Sequence, residues 1–208
     1  MKKINKKVLV LIIMLIVISI ILTINFFVQK FNKNLNNGNN IVSKNIQEIE
    51  EYILNISSFE AKIEVTVESN KNTNKYIIEQ RYISPNTENQ IVLEPANIAG
   101  LETIYSDGTL KLNNTKLDLQ TVYEEYKYVT YNNLWLNSFI KEYKESNEKN
   151  IKENEANFVM TVNTENDVKS LYIDKSTGNP TKLLVQDKNQ KNTIYILYNE
   201  IKINTLNK

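Results

Sequence analysis

A continuous apolar run from Val8 to Val28 is the feature that most constrains this chain. The run contains 21 residues without a charge, and only Ser19, Thr23 and Asn25 among them are polar. A helix rises about 1.5 Å per residue, so about 20 apolar residues span a hydrocarbon core of about 30 Å. Backbone groups in lipid must be hydrogen-bonded within the segment, which requires a helix. The run therefore predicts one transmembrane helix.

A cleaved signal peptide is the alternative to a permanent anchor. Such a peptide has a shorter apolar region and small residues at its cleavage site. This run instead ends in Asn25-Phe26-Phe27-Val28-Gln29, and the chain has no cysteine to accept a lipid. We therefore expect an uncleaved signal-anchor.

The lysines around the run predict its orientation. Four of them precede it and two follow closely, namely Lys2, Lys3, Lys6 and Lys7, then Lys30 and Lys33. The positive-inside rule then places the N-terminus in the cytoplasm. We expect a single-pass protein of the cell membrane whose remaining residues lie on the extracytoplasmic side.

The sequence divides into four segments on this basis. We expect a cytoplasmic basic tail over residues 1–7, the anchor over 8–28, a polar flexible tether over 29–42 and one extracytoplasmic domain over 43–208. Four of the 25 basic residues precede the anchor, which leaves 21 against 24 acidic residues and a net charge of −3. That balance gives no reason to expect nucleic acid as a partner.

The domain reads as mainly β with two helices. A helix follows Ser43, a candidate cap with Gln47 near the capping-box position, and Ile46, Ile49 and Ile53 recur at helical spacing. A second helix is predicted from Asn132 or Asn133 to about Tyr143.

About eight to eleven short antiparallel strands surround these helices. The clearest runs from Phe59 to Val67, where apolar and polar residues alternate strictly. Ile91 to Leu93 predicts a short strand ended by Pro95, and Asp107-Gly108 predicts a hairpin turn. The absence of a repeated strand–helix alternation argues against a parallel sheet.

Four stretches, taken in order, resemble the LolA-like superfamily, closest to its Gram-positive germination lipoprotein branch (GerS and GerS-related proteins). They begin at Ser58-Phe59-Glu60-Ala61, Tyr76, Leu93-Glu94-Pro95-Ala96 and Asn137-Ser138-Phe139-Ile140. The resemblance implies an incomplete antiparallel β-barrel whose concave face is covered by helices. It also implies a non-enzymatic role in sporulation and germination, supporting a cell-wall amidase that modifies the spore cortex. The space between the mother-cell and forespore membranes is then one expected location.

The same resemblance keeps a second function open, that of a lipid or lipoprotein carrier or sensor. In carriers of this superfamily, the concave face holds acyl chains. The residues expected to line that face here are Phe59, Ile63, Tyr82 and Leu93. A fixed anchor argues against a travelling carrier, because a tether of about a dozen residues reaches only about 20 Å.

Catalytic chemistry finds little support in the sequence. The chain has no histidine and no cysteine, which removes the commonest general base, the thiol nucleophile and the usual zinc ligands. Asp107 reads as a turn residue, and Glu124 and Glu125 as solvated charges. Asp167, Asp174 and Asp187 fall near predicted turns, where Asp caps backbone groups. We expect no enzyme activity, no cofactor and no metal.

Twelve tyrosines are the most unusual feature of the composition. Several cluster before the second helix, and tyrosine suits interfaces because it buries a large area and keeps a polar tip. Core packing is the simpler explanation. The sharper hypothesis is a partner-binding surface over residues 121–136, formed by Tyr123, Tyr126, Tyr128, Tyr131 and Trp135.

Overall fold

The computed structural model describes residues 45–85, 87–125, 133–189 and 192–206. The predicted anchor and tether lie outside these residues, as do Tyr126, Tyr128 and Tyr131. Within the described ranges, no helix combines the length and the apolar character needed to cross a membrane.

Eleven strands and two helices make up the described part of the chain. The helices are α1 (Ile46–Leu54) and α2 (Leu136–Glu145). The strands are β1 (Ser58–Ser69), β2 (Thr73–Ile83), β3 (Thr87–Glu94), β4 (Leu101–Ser106), β5 (Thr109–Asn114), β6 (Leu119–Tyr123), β7 (Lys149–Glu153), β8 (Asn157–Asn163), β9 (Asp167–Asp174), β10 (Pro180–Asp187) and β11 (Asn192–Ile203).

All eleven strands belong to one antiparallel sheet. Their order is β6-β5-β4-β3-β2-β1-β11-β10-β9-β8-β7, so the first and last strands of the domain, β1 and β11, pair at its centre. The two ends of the sheet are β6 and β7, which do not pair with each other. The predicted mainly β, open antiparallel architecture is therefore confirmed.

The first helix is capped two residues later than predicted, and the predicted cap Ser43 lies outside the described residues. Asn45 is the N-cap: its side chain accepts a hydrogen bond from the Glu48 N–H (2.9 Å), and the Glu48 carboxylate accepts one from the Asn45 N–H (3.2 Å). This reciprocal capping box satisfies two N–H groups that the helix cannot pair internally. Ile49 and Ile53, one turn apart, are fully buried on the inward face.

The second helix also starts later than predicted. Its N-cap is Trp135, which makes no side-chain cap hydrogen bond. The predicted cap Asn133 lies in the preceding turn, and Asn132 is outside the described residues. Burial explains the difference, because Trp135 and Leu136 are 2% and 0% exposed and fix the entry of the chain into the helix.

The core lies between the helices and one face of the sheet, here called the inner face. Seven neighbouring strands contribute a buried residue to it: Val92, Ile78, Ile63, Ile196, Leu183, Leu171 and Met160. Seven strands about 4.8 Å apart would be about 29 Å wide if flat, whereas two helices side by side cover about 20 Å. The sheet must therefore curl around the helices to keep these residues dry.

Two polar contacts fix α2 in this position. The Lys169 ammonium on β9 donates to Oε1 of Glu142 (2.6 Å) and lies 2.5 Å from Oε2 of the same carboxylate. The two side chains are only 4% and 15% exposed. The Tyr143 hydroxyl donates to Glu50 on α1 (3.0 Å), and burial, reinforced by that carboxylate, raises the pKa of Tyr143. The phenol therefore stays neutral and remains a donor.

We predict that the buried ion pair is costly to break from one side only. Glu142→Leu alone should lower the free energy of unfolding by about 3–5 kcal/mol, because it leaves the Lys169 charge buried without a partner. The double variant Glu142→Leu with Lys169→Met should recover most of that loss, because no charge then remains to be desolvated. Urea unfolding followed by circular dichroism measures both, and equal losses in the two variants would contradict this account.

Candidate functional site

The inner face around Phe59 is packed with side chains. Phe59 and Ile63 are fully buried, and Tyr82 is 8% exposed. The Phe59 ring lies 5.5 Å from the Tyr82 ring and 6.4 Å from the Trp135 ring, measured between centroids. The structure thus brings three of the four predicted lining residues together, as parts of a filled core.

Leu93 is the exception among the predicted lining residues. Between Ile77 and Ile78, the pairing of β2 with β3 shifts: Ile78 faces Val92 and Ile77 faces Glu94, so Leu93 is the extra residue of a β-bulge. Val92 takes the core position, at 9% exposure, and Leu93 is only half-buried. The sequence could not indicate which of two adjacent apolar residues the bulge would turn inward.

Trp135 is also placed differently from the prediction. Its 2% exposure and its contact with Phe59 make it a core residue. This burial removes Trp135 from the predicted partner-binding surface.

Tyr123 does lie at the surface, at the C-terminal end of strand β6. It is 44% exposed, and Val122 and Leu119 on the same strand are 47% and 62% exposed. Tyr123 faces Leu110 of β5 across the strand pair. This strand forms one end of the sheet in the part of the chain that the structure describes.

Four polar side chains, two of them buried and two half-buried, cluster where α2 begins. Gln80 faces Gln90 across the β2–β3 pair, and Glu88 lies two residues from Gln90 on the same face. The Asn137 amide donates to Oε1 of Glu88 (2.5 Å), and the Gln80 amide donates to the carbonyl of Leu134 (3.1 Å). These donations fix which end of each amide is oxygen. The cluster therefore holds α2 and the preceding turn against β2 and β3.

The cluster contains more acceptors than donors. Gln80 Oε1, Glu88 Oε2, Gln90 Oε1 and Asn137 Oδ1 are buried without a hydrogen-bond partner. Burial raises the pKa of Glu88, although the hydrogen bond from Asn137 opposes that rise. Sequence reasoning missed this cluster, because the polar run Thr87–Gln90 gives no sign that two of its side chains point into the core.

The opposite, outer face of the sheet carries alternating charges. Glu60 on β1 faces Arg81 on one side and Lys202 on the other, and Lys62 faces Glu79 and Glu200 in the same way. A groove of about 490 Å³ runs between these side chains. Opposite charges on neighbouring strands stabilise the pairing and keep the face hydrated. The chain's only arginine therefore belongs to a balanced charge lattice.

The aspartates singled out in the sequence lie in a turn or at strand ends beside one, as predicted. Asp107 and Gly108 have φ of 48° and 84° and link β4 to β5 in a two-residue hairpin. Asp174 accepts hydrogen bonds from the Ser176 hydroxyl (2.5 Å) and the Thr177 N–H (2.8 Å), which lower its pKa.

The remaining carboxylates named in the sequence analysis either accept a local hydrogen bond or are exposed. Asp167 accepts from the Thr164 hydroxyl (2.6 Å), Asp187 accepts from the Asn189 N–H (2.8 Å), and Glu124 and Glu125 are exposed. Across the described residues, no three acidic side chains come together in a way that could hold a metal ion.

The comparisons with known proteins concern the fold alone. No protein-family model matches the chain, and no curated protein does. Similar solved structures include a LolA superfamily protein from Nitrosomonas europaea, with 10% identity over 78% of this chain and 94% of the other, at a TM-score of 0.45. The structure of the CwlD amidase in complex with the GerS lipoprotein from Clostridioides difficile matches with 20% identity over 78% and 92%, at a TM-score of 0.42.

A third similar structure is the MucA/MucB complex from Pseudomonas aeruginosa. It matches with 14% identity over 77% of this chain and 56% of the other, at a TM-score of 0.42. Identities and scores this low assign neither a family nor an activity. The class that the geometry itself defines is a curled, open antiparallel sheet with two helices packed against its inner face.

We predict that Glu88 makes the protein less stable as the pH rises. Its pKa in the folded state lies above the ordinary value of 4.5, so its contribution to stability is complete below about that pH and is lost as the pH rises through the raised value. Glu88→Gln should remove this loss, because an amide stays neutral and donates to the unpartnered oxygens nearby.

The measurement is urea unfolding of both forms from pH 4 to pH 8, with Glu60→Gln on the exposed outer face as the matched control. Glu88→Gln should gain stability over the parent protein as the pH rises, and Glu60→Gln should not show the same gain. A stability difference between Glu88→Gln and the parent that does not change with pH would contradict the prediction.

Proposed function

We propose that this protein is a non-catalytic, membrane-anchored partner of a cell-envelope enzyme. The observation that carries the proposal is the dense packing of the inner face around Phe59. Phe59 and Ile63, which would line an acyl-chain pocket, are fully buried, and the Phe59 ring lies against Trp135. A carrier needs an apolar hollow that a ligand can enter, and at these positions the space is occupied by the protein's own side chains.

The anchor supports the same proposal from the sequence. One helix over Val8–Val28 and a short tether would hold the domain close to one membrane surface. Such an arrangement suits a protein that positions or stabilises an enzyme at that membrane. It suits poorly a protein that moves lipid between membranes.

We propose that the partner is a cell-wall amidase that acts during sporulation. This choice comes from the resemblance of the sequence to the germination lipoprotein branch. The GerS lipoprotein is itself solved in complex with the CwlD amidase. The lipid-carrier alternative differs from this proposal in what should copurify, which makes the two easy to separate.

We predict that crosslinked, tagged full-length protein recovers a protein partner in stoichiometric amount. Pull-downs from vegetative and sporulating cells, with proteins and lipids identified by mass spectrometry, make the measurement. A cell-wall amidase should appear chiefly in the sporulating sample. The predicted anchor fused to an unrelated domain is the control, because any membrane segment copurifies with bulk lipid.

The lipids identified in the same experiment test the carrier alternative. Lipid recovered with the full-length protein should match in amount and composition the lipid recovered with the control fusion. Enrichment of one acyl lipid over the control, with no stoichiometric protein, would overturn the proposal in favour of a carrier.

A further inference from the structure

The polar cluster where α2 begins contains four oxygens that have no hydrogen-bond partner in the described part of the chain. They are Gln80 Oε1, Glu88 Oε2, Gln90 Oε1 and Asn137 Oδ1, here called the four cluster oxygens. All four atoms are sealed from solvent, and the residues Gln80 and Glu88 are only 3% and 7% exposed. A buried acceptor without a donor keeps the full cost of having left water. The four cluster oxygens therefore lack a contact that would offset their burial.

The side chains that carry these oxygens are neighbours. Gln80 on β2 pairs with Gln90 on β3, and Glu88 is the next residue of β3 on that face. Side chains paired across two strands have Cβ atoms about 4.5–5.5 Å apart. Asn137 Nδ2 on α2 lies 2.5 Å from Glu88 Oε1, and Gln80 Nε2 lies 3.1 Å from the carbonyl oxygen of Leu134. Two strands and the first turn of α2 therefore bring the four side chains to one place.

Rearranging the donors of the cluster does not pair all of its oxygens. The Gln80 amide donates to Leu134 and the Asn137 amide donates to Glu88, so turning either amide around would lose a hydrogen bond. Turning the Gln90 amide around would bring in two N–H groups for the three other oxygens. A proton on Glu88 would supply one O–H donor for the three amide oxygens. Either change alone leaves an oxygen unpaired.

The chemistry of the four cluster oxygens favours a bare metal cation. Carboxylate and amide oxygens are ligands of hard cations, and carbonyl oxygens replace the water shell of an ion in channel filters. A water oxygen lies about 2.7–2.8 Å from an acceptor, whereas a cation of about the size of calcium lies about 2.3–2.6 Å from its oxygen ligands. Sodium has about that size. Between sealed oxygens, a sodium ion therefore fits a tighter space than a water molecule does.

The balance of charge favours a monovalent ion. Glu88 is the only ionisable group among the four side chains, so its carboxylate neutralises one sodium ion. A divalent ion would leave a positive charge buried beside the N-terminus of α2, which is itself partially positive. The expectation of no metal rested on the missing histidine and cysteine, and neither residue is needed for a site made of oxygens.

We propose that Gln80, Glu88, Gln90 and Asn137 bind one sodium ion between β2, β3 and the first turn of α2. Glu88 supplies the negative charge, and the three amides supply neutral oxygen ligands. The bound ion connects the start of α2 to both strands, so it stabilises the folded state. The inference goes beyond the proposed function and does not depend on it, because no partner takes part in the site.

The test follows thermal unfolding of the full-length protein in detergent by circular dichroism, at pH 8 and constant chloride concentration. Sodium chloride is compared with tetramethylammonium chloride, whose cation is too large for a sealed site. Sodium at about ten times its dissociation constant should raise Tm by about 3–6 °C, because it shifts the folding equilibrium about elevenfold.

The variant that separates this proposal from a general salt effect is Glu88→Gln. It keeps the shape of the side chain and removes the charge that the ion needs, so the Tm difference between the two salts should disappear. Glu60→Gln is the matched control, because it makes the same change on the outer face of β1, where the side chain is 43% exposed. It should keep the full difference.

A second variant tests an amide ligand. Gln90→Met keeps a side chain of similar length and removes one cluster oxygen, without breaking a side-chain hydrogen bond that the structure shows. It should weaken sodium binding by about tenfold, which is the usual scale for losing a group that supports a metal site.

Sodium NMR measures the binding directly, because an ion held by a slowly tumbling protein gives a broader signal. The parent protein and Glu60→Gln should broaden the sodium signal, and Glu88→Gln should not. Equal Tm values in the two salts, a sodium effect that persists in Glu88→Gln, or stabilisation by potassium or calcium in place of sodium would overturn the inference. None of these outcomes affects the recovery of an amidase or a lipid, which tests the proposed function separately.

Discussion

The rest of the structure depends on one constraint. Two short helices must help to bury one face of an eleven-stranded sheet that is wider than they are. Seven strands place apolar residues on the inner face, and within the described residues α1, α2 and the Trp135 turn pack against them. Curling the sheet is the way to match these two widths. It also brings β3 and β9 within reach of a ten-residue helix, so Asn137 bonds Glu88 and Glu142 bonds Lys169. The polar contacts follow from the curl and then fix it.

Beyond β3, the sheet continues with no described helix over it. Strands β4, β5 and β6 are held by pairing and by a chain of side-chain hydrogen bonds, in which Gln120 donates to Asn113, and Asn113 and Asn89 both donate to Glu102 (2.8–2.9 Å). This polar chain fixes the register of four strands without needing a core. The extension therefore keeps an ordered backbone although none of the residues in these three strands belongs to the core.

The sequence predicted the fold best where one physical force acted alone. Strand β1 alternates strictly because one face is dry and the other wet. The residues that pack inward are the predicted ones: Phe59, Ala61, Ile63, Val65 and Val67. Prediction from the sequence failed where the burial of a polar residue depends on a hydrogen-bond partner distant in the sequence. Glu88 is buried because Asn137, 49 residues away, bonds it. Strand β6 has no buried residue to give it a period, and its position in the sheet comes from pairing with β5.

Trp135 connects the architecture to the function. A curled sheet with a dry inner face can hold either a ligand or its own side chains, and the choice depends on what enters the concavity. Here Trp135 contacts Phe59, and α2 begins at the next residue, Leu136, which is fully buried. Opening a pocket at this point would expose Phe59 and Ile63 to water, at a cost of about 1.5–3 kcal/mol for each side chain. At this point the curl that would form a carrier's pocket instead encloses the protein's own side chains, which leaves the surface of the domain for the proposed recognition of a partner.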